Sequence, residues 1–494
     1  MKVDLLAPEG VSGGFTTPNG GAVVEDLDLD PVFQAMARGD QFILEVVRTV
    51  VPRTLSAPEL IRYRQEILAD CCAHPDALRQ LYEIATAATS VRRWTIARGR
   101  EPQAKLRLSL EPLSALVDQL RELRTACLRF APVLRSAGLS ELARRLVEQL
   151  ADEYLDRIQH HVELLHFEHG LQLSAGLGPG NKAADILLHE PLEQPRRRRF
   201  GLRSPHTFRI PNDDDAATNY LKALFGRSVQ PVAETVSHVT DLVQNFFRAL
   251  RTELAFYLGC VNLHEQLRAA GHPTCFPTPL PPGRDVLRCT DLRDPTLCVR
   301  TGTAVTGNRI DADGIRLLVV TGANSGGKST CLRSLGAAQV MMQAGMFVVA
   351  ESFEADVRDG IFTHFRVPDD ATMTSGRLRE ELGRLAEIAD RLRPTSLLLF
   401  NEPLASTNER EAGEIVGPVV HALTDTGVKL VLVTHLYDLA HELYQRHDPA
   451  HLFLRAERLR DGTRTYRMVE GEPEAGSHGL DIFRRIFADD RSPV

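Results

Sequence analysis

The stretch "IRLLVVTGANSGGKST", residues 315–330, decides how the C-terminal half of this chain reads. It opens on a short, nearly continuous apolar run, the pattern of a strand buried on both faces. Gly322, Gly327, Lys328 and Ser329 then satisfy G-x-x-x-x-G-K-S/T, and a helical pattern starts at Ser329. In that strand–loop–helix setting the glycines let backbone N–H groups turn onto phosphate oxygens. Lys328 brings a point charge to the β- and γ-phosphates, and the Ser329 hydroxyl can ligate Mg²⁺. Gly326 removes one more side chain from the cradle, and Ala323, Asn324, Ser325 and Thr330 complete it. The bland alternative, a glycine turn beside a chance Lys-Ser pair, does not account for the strand before or the helix after. ATP and Mg²⁺ are the expected ligands.

Two further apolar runs extend the pattern. "SLLLFNE" ends at Glu402 and "KLVLVTH" at His435, with helical stretches at 329–344 and 377–393 between the runs. Buried strands alternating with helices describe a parallel α/β sheet from about residue 273 onward. An acid at a strand end is what hydrolysis at a phosphate loop needs next, because Glu402 can orient the attacking water or take its proton. The position before it, where an aspartate would hold the Mg²⁺ shell, is Asn401. Its amide can still bond a metal-bound water but contributes no charge. His435 sits where a third strand end would face the γ-phosphate, and can sense it or steady the water. The bland alternative for Glu402 is a solvated strand-end acid, the lesser reading even when it is judged alone, whereas His435 judged alone reads as a structural histidine. In order behind the loop they read as catalytic.

The first half is different. Residues 1–30 are rich in Gly, Pro and Asp and read as an irregular lead-in. From Pro31 the periodicity is helical: Leu60, Ile61, Tyr63, Ile67 and Leu68 share one face, as do Leu113, Leu116, Leu120, Leu123 and Cys127. After "RSAGLS" the pattern resumes through Leu142, Leu146, Leu150, Tyr154, Ile158 and Val162, with Ser140 the expected N-cap. Residues 171–215 are loop-rich and charged, an insertion between helices. Pro231 then opens the longest expected helix, about 40 residues and roughly 60 Å, whose apolar stripe wants a partner helix as in a coiled-coil arm. The expected division is a lead-in at 1–30, a helical region at 31–272 carrying the 171–215 insertion, and an α/β domain at 273–494.

Composition narrows the classes. The 494 residues are 43% hydrophobic and 25% charged, with a formal net charge of -7. This is a globular balance that argues against a wholly basic nucleic-acid coat but allows a local basic channel. The eight cysteines form no CxxC pair, so neither structural zinc nor a redox motif is expected. The N-terminus has no signal-peptide h-region and no apolar run reaches membrane-spanning length, so a soluble, cytoplasmic protein is expected.

The motifs in combination resemble the MutS family of ATPases. "TGANSGGKST" is similar to that family's phosphate loop, "NEPLASTNEREAGEI" to its acidic strand end and following dimer-contacting loop, and "VTHLYDL" to its histidine switch. "DDATMTSGRLREEL" (369–382) resembles its cross-dimer signature segment and "EAGSHGLDI" its closing motif. The resemblance covers about 274–487. It implies an α+β multidomain chain: a mostly α-helical core and lever region, then an α/β P-loop NTPase domain of ABC-like, MutS type. It also implies a homodimer with composite ATP sites, in which Ser375, Ser406 and Thr407 contact the partner, and nucleotide-driven change of arm geometry on DNA. Mismatch repair, or binding of structured or joint DNA, is the implied setting. Three departures are visible. About 30 residues precede the helical region, so the family's mismatch-reading and connector domains are not expected. Asn401 replaces the family aspartate. Ser375 is followed by Gly-Arg-Leu, not Thr-Phe-Met. An appended nuclease domain is not expected after the closing motif.

Weaker signals remain. Arg196, Arg197, Arg198 and Arg199, with Arg203 and Arg209, could clamp DNA phosphates or form a solvated loop facing "NDDD". Phe200 and Phe208 could stack on bases, though packing suits them better. His160, His161, His166 and His169 with Glu163 and Glu168 crowd one helix end without the HExxH spacing, so a polar surface is the expected reading. Two other classes stay open: an ABC- or SMC-like ATPase, for which 369–385 lacks the LSGGQ signature, and a nucleotide-switched scaffold with weak hydrolysis and no DNA role.

Overall fold

A computed structural model describes all residues except 1, 9–14, 17–19, 92–100, 168–169, 190–209, 212, 324–325, 366–375, 460–462 and 475–494. In chain order the first elements are β1 (Phe15–Thr16), α1 (Gly20–Asp26), α2 (Asp30–Ala37), α3 (Gln41–Val50), β2 (Thr54–Leu55) and α4 (Pro58–Ala73). Next come α5 (Pro75–Ser90), α6 (Pro102–Phe130), α7 (Ala137–Gln149), α8 (Asp152–Leu164), β3 (Gln172–Leu177), β4 (Ala183–His189) and α9 (Asp215–Ala269). The C-terminal part holds β5 (Thr278–Leu280), β6 (Leu287–Leu292), α10 (Pro295–Thr301), β7 (Asn308–Asp311), β8 (Leu317–Thr321), α11 (Lys328–Ala344), β9 (Ser352–Asp356) and β10 (Ile361–Phe365). It closes with α12 (Arg377–Ala389), β11 (Leu397–Asn401), α13 (Glu409–Asp425), β12 (Lys429–Val433), α14 (Tyr437–Gln445), β13 (His451–Arg458) and β14 (Arg464–Glu470).

These elements form two compact units, Met1–Val3 with Asp76–Arg135 and Leu139–Leu254, and Asp4–Pro75 with Ser136–Gly138 and Ala255–Val494. In the first, α6 buries Leu116, Leu120 and Leu123 and packs on α8. Arg121–Asp156 and Arg124–Asp152, both at 2.7 Å, tie the two helices at the rim. Such half-exposed pairs contribute about 0–1 kcal/mol each, so the leucine seam dominates. The loop-rich insertion contains an antiparallel hairpin, β3–β4.

Three sequence expectations need correction. The longest helix starts at Asp215, and Pro231 lies inside it. Proline in a helix interior forfeits one backbone bond and costs about 3 kcal/mol. Complete burial of Val229 and Ala233 on either side offsets that cost. Ser140 is not an N-cap, because α7 begins three residues earlier. The Asp70 carboxylate accepts the Ser136 N–H just ahead of that helix, while Ser140 Oγ reaches back to the Leu134 carbonyl at 3.4 Å. Finally, the irregular lead-in contains α1, which packs on β10.

The second unit is built on a six-stranded sheet of order β10-β11-β12-β8-β13-β14, parallel except for the antiparallel edge strand β14. Strands β8, β10 and β12 are buried at every position, the two-sided burial that the apolar runs predict. One face carries Val416 and Val420 of α13 and Leu439 and Leu443 of α14 in a single core with Leu398, Phe400, Leu430 and Leu432. Against Leu399 of β11 lies α11, where Gly336 leaves room: a Cβ there would come within 2.4 Å of Leu399 Cδ1 and 2.7 Å of Leu27 Cδ2. Gln343, fully buried in α11, donates to the carbonyls of Leu55 and Arg358 and accepts from the Arg358 N–H. A smaller sheet, β5-β9-β6-β7, completes the unit.

Candidate functional site

Strands β8, β11 and β12 run parallel, so their C-terminal ends fall on one edge of the sheet. The 322–329 loop leaves β8 at that edge. Gly322 (φ 116°) and Gly327 (φ 94°) hold left-handed conformations that a side chain would strain, and Gly327 stands just ahead of α11. The loop is backed by β13: a Cβ at Gly326 would lie 2.9 Å from Ala456 Cβ, and one at Gly322 3.0 Å from it. The two glycines therefore bring the backbone against the sheet as well as freeing its N–H groups.

Lys328 is 4% exposed, and its Nζ donates to the carbonyls of Gly322 at 2.6 Å and Ala323 at 3.3 Å. Burial holds its pKa below the usual lysine value, and the nearby Glu402 carboxylate works against that shift. Ser329 Oγ donates to Asn401 Oδ1 at 3.2 Å, which joins the loop to the end of β11. Glu402 follows at φ 51°, with its N–H bonded to the Val433 carbonyl at 2.8 Å. This left-handed turn, unusual for a glutamate, carries the carboxylate out of the strand direction and onto the cavity wall.

That cavity, about 480 Å³, is lined by Gly326, Gly327, Lys328, Ser329, Thr330 and Glu402 from the predicted set. Its volume is within the ~300–1,000 Å³ range of small-molecule sites. The sequence reading missed the rest of the lining: Leu297 and Thr301 of α10, the segment Thr303–Thr306 with Asn308, and Tyr466 of β14. Tyr466 has φ 61° and is half exposed, another strained residue at the cavity. The turn signals near that stretch were Gly302, which ends α10 at φ 59°, and Gly307 before Asn308.

The remaining predicted residues are placed as follows. His435 is exposed, two positions beyond β12, and does not line the cavity. Ser406 Oγ donates to Glu381 Oε2 at 2.8 Å, and Thr407 Oγ1 bonds Glu411, so both hydroxyls are engaged within the chain. His160, His161 and His166 are exposed on or just after α8. Asn324, Ser325, Ser375, Arg196–Arg199, Arg203, Arg209, Phe200, Phe208, His169, Glu168 and the closing motif beyond Glu474 lie outside the described residues.

The cavity residues fit a nucleotide triphosphate with Mg²⁺ on chemical grounds. They offer an ammonium group, a hydroxyl beside an amide oxygen, a carboxylate, and a glycine-lined start to a 17-residue helix whose N-terminus favours anions. Residues 318–490 match the family model for MutS domain V, and residues 56–270 match that for the MutS2 N-terminal domain. The chain belongs to the MutS family. A DNA mismatch repair protein MutS of Porphyromonas gingivalis is 31% identical over 179 residues, 35% of this chain and 20% of that protein. Endonuclease MutS2 of Shouchella clausii is 30% identical over 182 residues, 36% of this chain and 23% of that one. Endonuclease MutS2 of Gemmatimonas aurantiaca is 24% identical over 273 residues, 55% of this chain and 33% of that one. This MutS-family chain thus spans a third or less of the length of those relatives. Among its described residues no helix is long and apolar enough to cross a membrane.

Proposed function

We infer that this chain is a MutS-like ATPase with an ABC-like P-loop fold, acting as a cytoplasmic homodimer on DNA. The observation that carries the reading is the meeting of Lys328, Ser329, Asn401 and Glu402 at the C-terminal edge of a parallel sheet, in a segment matching MutS domain V. Lys328 and the N–H groups of the 322–329 loop hold the phosphates. Ser329 and, through water, Asn401 hold Mg²⁺. The bound ion offsets phosphate charge and orients the group to be transferred. Glu402 positions the attacking water and takes its proton, and His435 reports the γ-phosphate to the loop after β12.

Two such sites face each other in the dimer, with Ser375, Ser406 and Thr407 meeting the partner's nucleotide. Ser406 and Thr407 must then exchange Glu381 and Glu411 for that contact. Nucleotide state changes dimer geometry and with it the helical arms. Arg196–Arg199 contribute salt-sensitive phosphate contacts, and structured or joint DNA is the preferred substrate over a mismatch.

ATP turnover by the purified protein, with and without branched and mismatched duplex DNA, tests this. Glu402→Ala is expected to lower turnover about 10²–10⁴-fold while ATP still binds, and DNA is expected to stimulate the wild type only. ATP binding with negligible turnover, unmoved by DNA or the variant, would favour the second reading, a nucleotide-switched scaffold. The missing charge at Asn401 is the observation that supports it.

A further inference from the structure

The wall of the nucleotide cavity formed by Thr303–Thr306 and Asn308 has a support that neither the motifs nor the family match assigns. Behind it runs β6, which pairs with β7 through Leu292 and Asn308 and carries an irregularity between Cys289 and Leu292. Asp291 lies in that bulge at φ 49°. A bulge re-aims a side chain out of the strand's alternation, and here it turns the Asp291 carboxylate under Gly307. A Cβ on Gly307 would sit 1.9 Å from Asp291 Oδ1 and 2.8 Å from its backbone carbon, so only glycine fits.

The carboxylate is fixed in turn. Arg293 Nη2 donates to Asp291 Oδ2 at 2.7 Å, and the Arg293 N–H donates to the Val349 carbonyl at 2.9 Å. Arg293 Nη1 faces His272 Nδ1 at 3.2 Å. Burial and the guanidinium hold His272 below the usual histidine pKa, and because a guanidinium can only donate, Nδ1 is the acceptor in this contact. His272 itself is locked to the end of α9: Gly271 (φ 75°) makes the left-handed turn and the His272 N–H donates to the Leu267 carbonyl at 3.0 Å. On its far side the wall is tied by Asn308 Oδ1, which accepts the Met468 N–H at 2.8 Å, two residues from Tyr466.

The geometry points to Asp291 as a positioning residue for nucleotide binding, holding the 303–308 wall through Gly307 and held itself by the Arg293–His272 pair at the end of α9. The inference rests on the nucleotide reading above. It assigns Asp291 no contact with the reacting atoms. The 322–329 loop and Glu402 do not depend on it, so it affects how tightly the whole nucleotide is held and leaves the phosphate cradle and hydrolysis alone.

The test compares wild type, Asp291→Ala, Asp291→Asn and Lys328→Ala as full chains, with melting temperatures recorded for each. Two probes compete with a fluorescent ATP analogue: ATP and inorganic tripolyphosphate. Asp291→Ala is expected to weaken ATP about tenfold and raise KM with kcat nearly unchanged, while tripolyphosphate competes as in wild type. Asp291→Asn keeps the shape and an acceptor for Arg293 and is expected to recover most of the ATP affinity. Equal weakening of both probes, a loss of kcat at unchanged KM, or unaltered ATP affinity in both variants would overturn the inference. Failure of the nucleotide reading is distinguishable: wild type and Lys328→Ala would then be alike in binding neither probe.

Discussion

Asn401 is the residue on which the proposed chemistry turns. Its Oδ1 accepts the Ser329 hydroxyl, and under the proposed function the two side chains would share the Mg²⁺ shell without the charge that an aspartate would add. Asn401→Asp is expected to restore that charge, lowering the Mg²⁺ concentration for half-maximal ATP turnover by about tenfold, the effect of ~1.4 kcal/mol. A magnesium titration of the ATPase reads this directly, and an unchanged midpoint would mean that Asn401 does not face the metal. Each of these residues was legible in the sequence because a phosphate loop and a strand-end acid have local spacing. Tyr466 and the 303–308 wall were not legible. Tyr466 stands more than a hundred residues from the loop and reaches the cavity through the register of β14. Ala456 was equally silent, since its role is to be small where Gly322 and Gly326 press on β13.

At the scale of elements, α11 connects loop to core. Its N-terminus carries Lys328, and its body is buried almost throughout. Gly336 sets how close it lies to β11. Gly336→Val is expected to destabilise the chain by about 1–3 kcal/mol through overpacking, read as a lower urea midpoint at unchanged slope. A midpoint equal to wild type would mean that Leu399 and Leu27 repack without cost. Apolar runs and stripes made β8, β11, β12, α6 and α9 readable. The start of α9 was misplaced because Pro231 is a stop signal by local propensity, and side-chain packing on either side of it overrides that signal. The same holds for Ser140, whose capping role passes to Asp70, distant in sequence.

Across the second unit, a buried polar cluster joins the two sheets. Lys429, 2% exposed at the start of β12, donates to the carbonyls of Asp285 at 2.7 Å and Ala312 at 3.3 Å. Arg358 pairs with Asp285 at 3.0 Å, and Asp356 Oδ2 accepts the N–H groups of Gly283, Arg284 and Asp285. Burial, with Arg358 adding to it and Asp285, Asp356 and Asp313 opposing it, brings the Lys429 pKa down to about 7. The unfolded lysine titrates near its ordinary value of 10.5. Between those values the unfolded chain binds more protons, so stability rises with pH from about 7 toward 10, and it levels off below about 7, where Lys429 is protonated in both states. The slope expected from this group approaches 1.4 kcal/mol per pH unit. Denaturant unfolding of wild type and Lys429→Met across pH 7–10 checks it: the variant should lose that part of the slope, and parallel curves would show that Lys429 stays charged inside.

Local features were readable along the chain: a glycine-rich loop ending in Lys328 and Ser329, a strand-end Glu402, buried parallel strands, a helical first half and the family they resemble. Those depend on spacings of a few residues and on side-chain period, which neighbours along the chain fix. Long-range packing set the rest: residues 4–75 pack with the C-terminal sheets, 303–306, Asn308 and Tyr466 wall the cavity, and Asp291 and His272 stand behind it. These are contacts between residues far apart in the chain, made by strand register, close helix–sheet approach and shared buried polar groups. No local propensity encodes them.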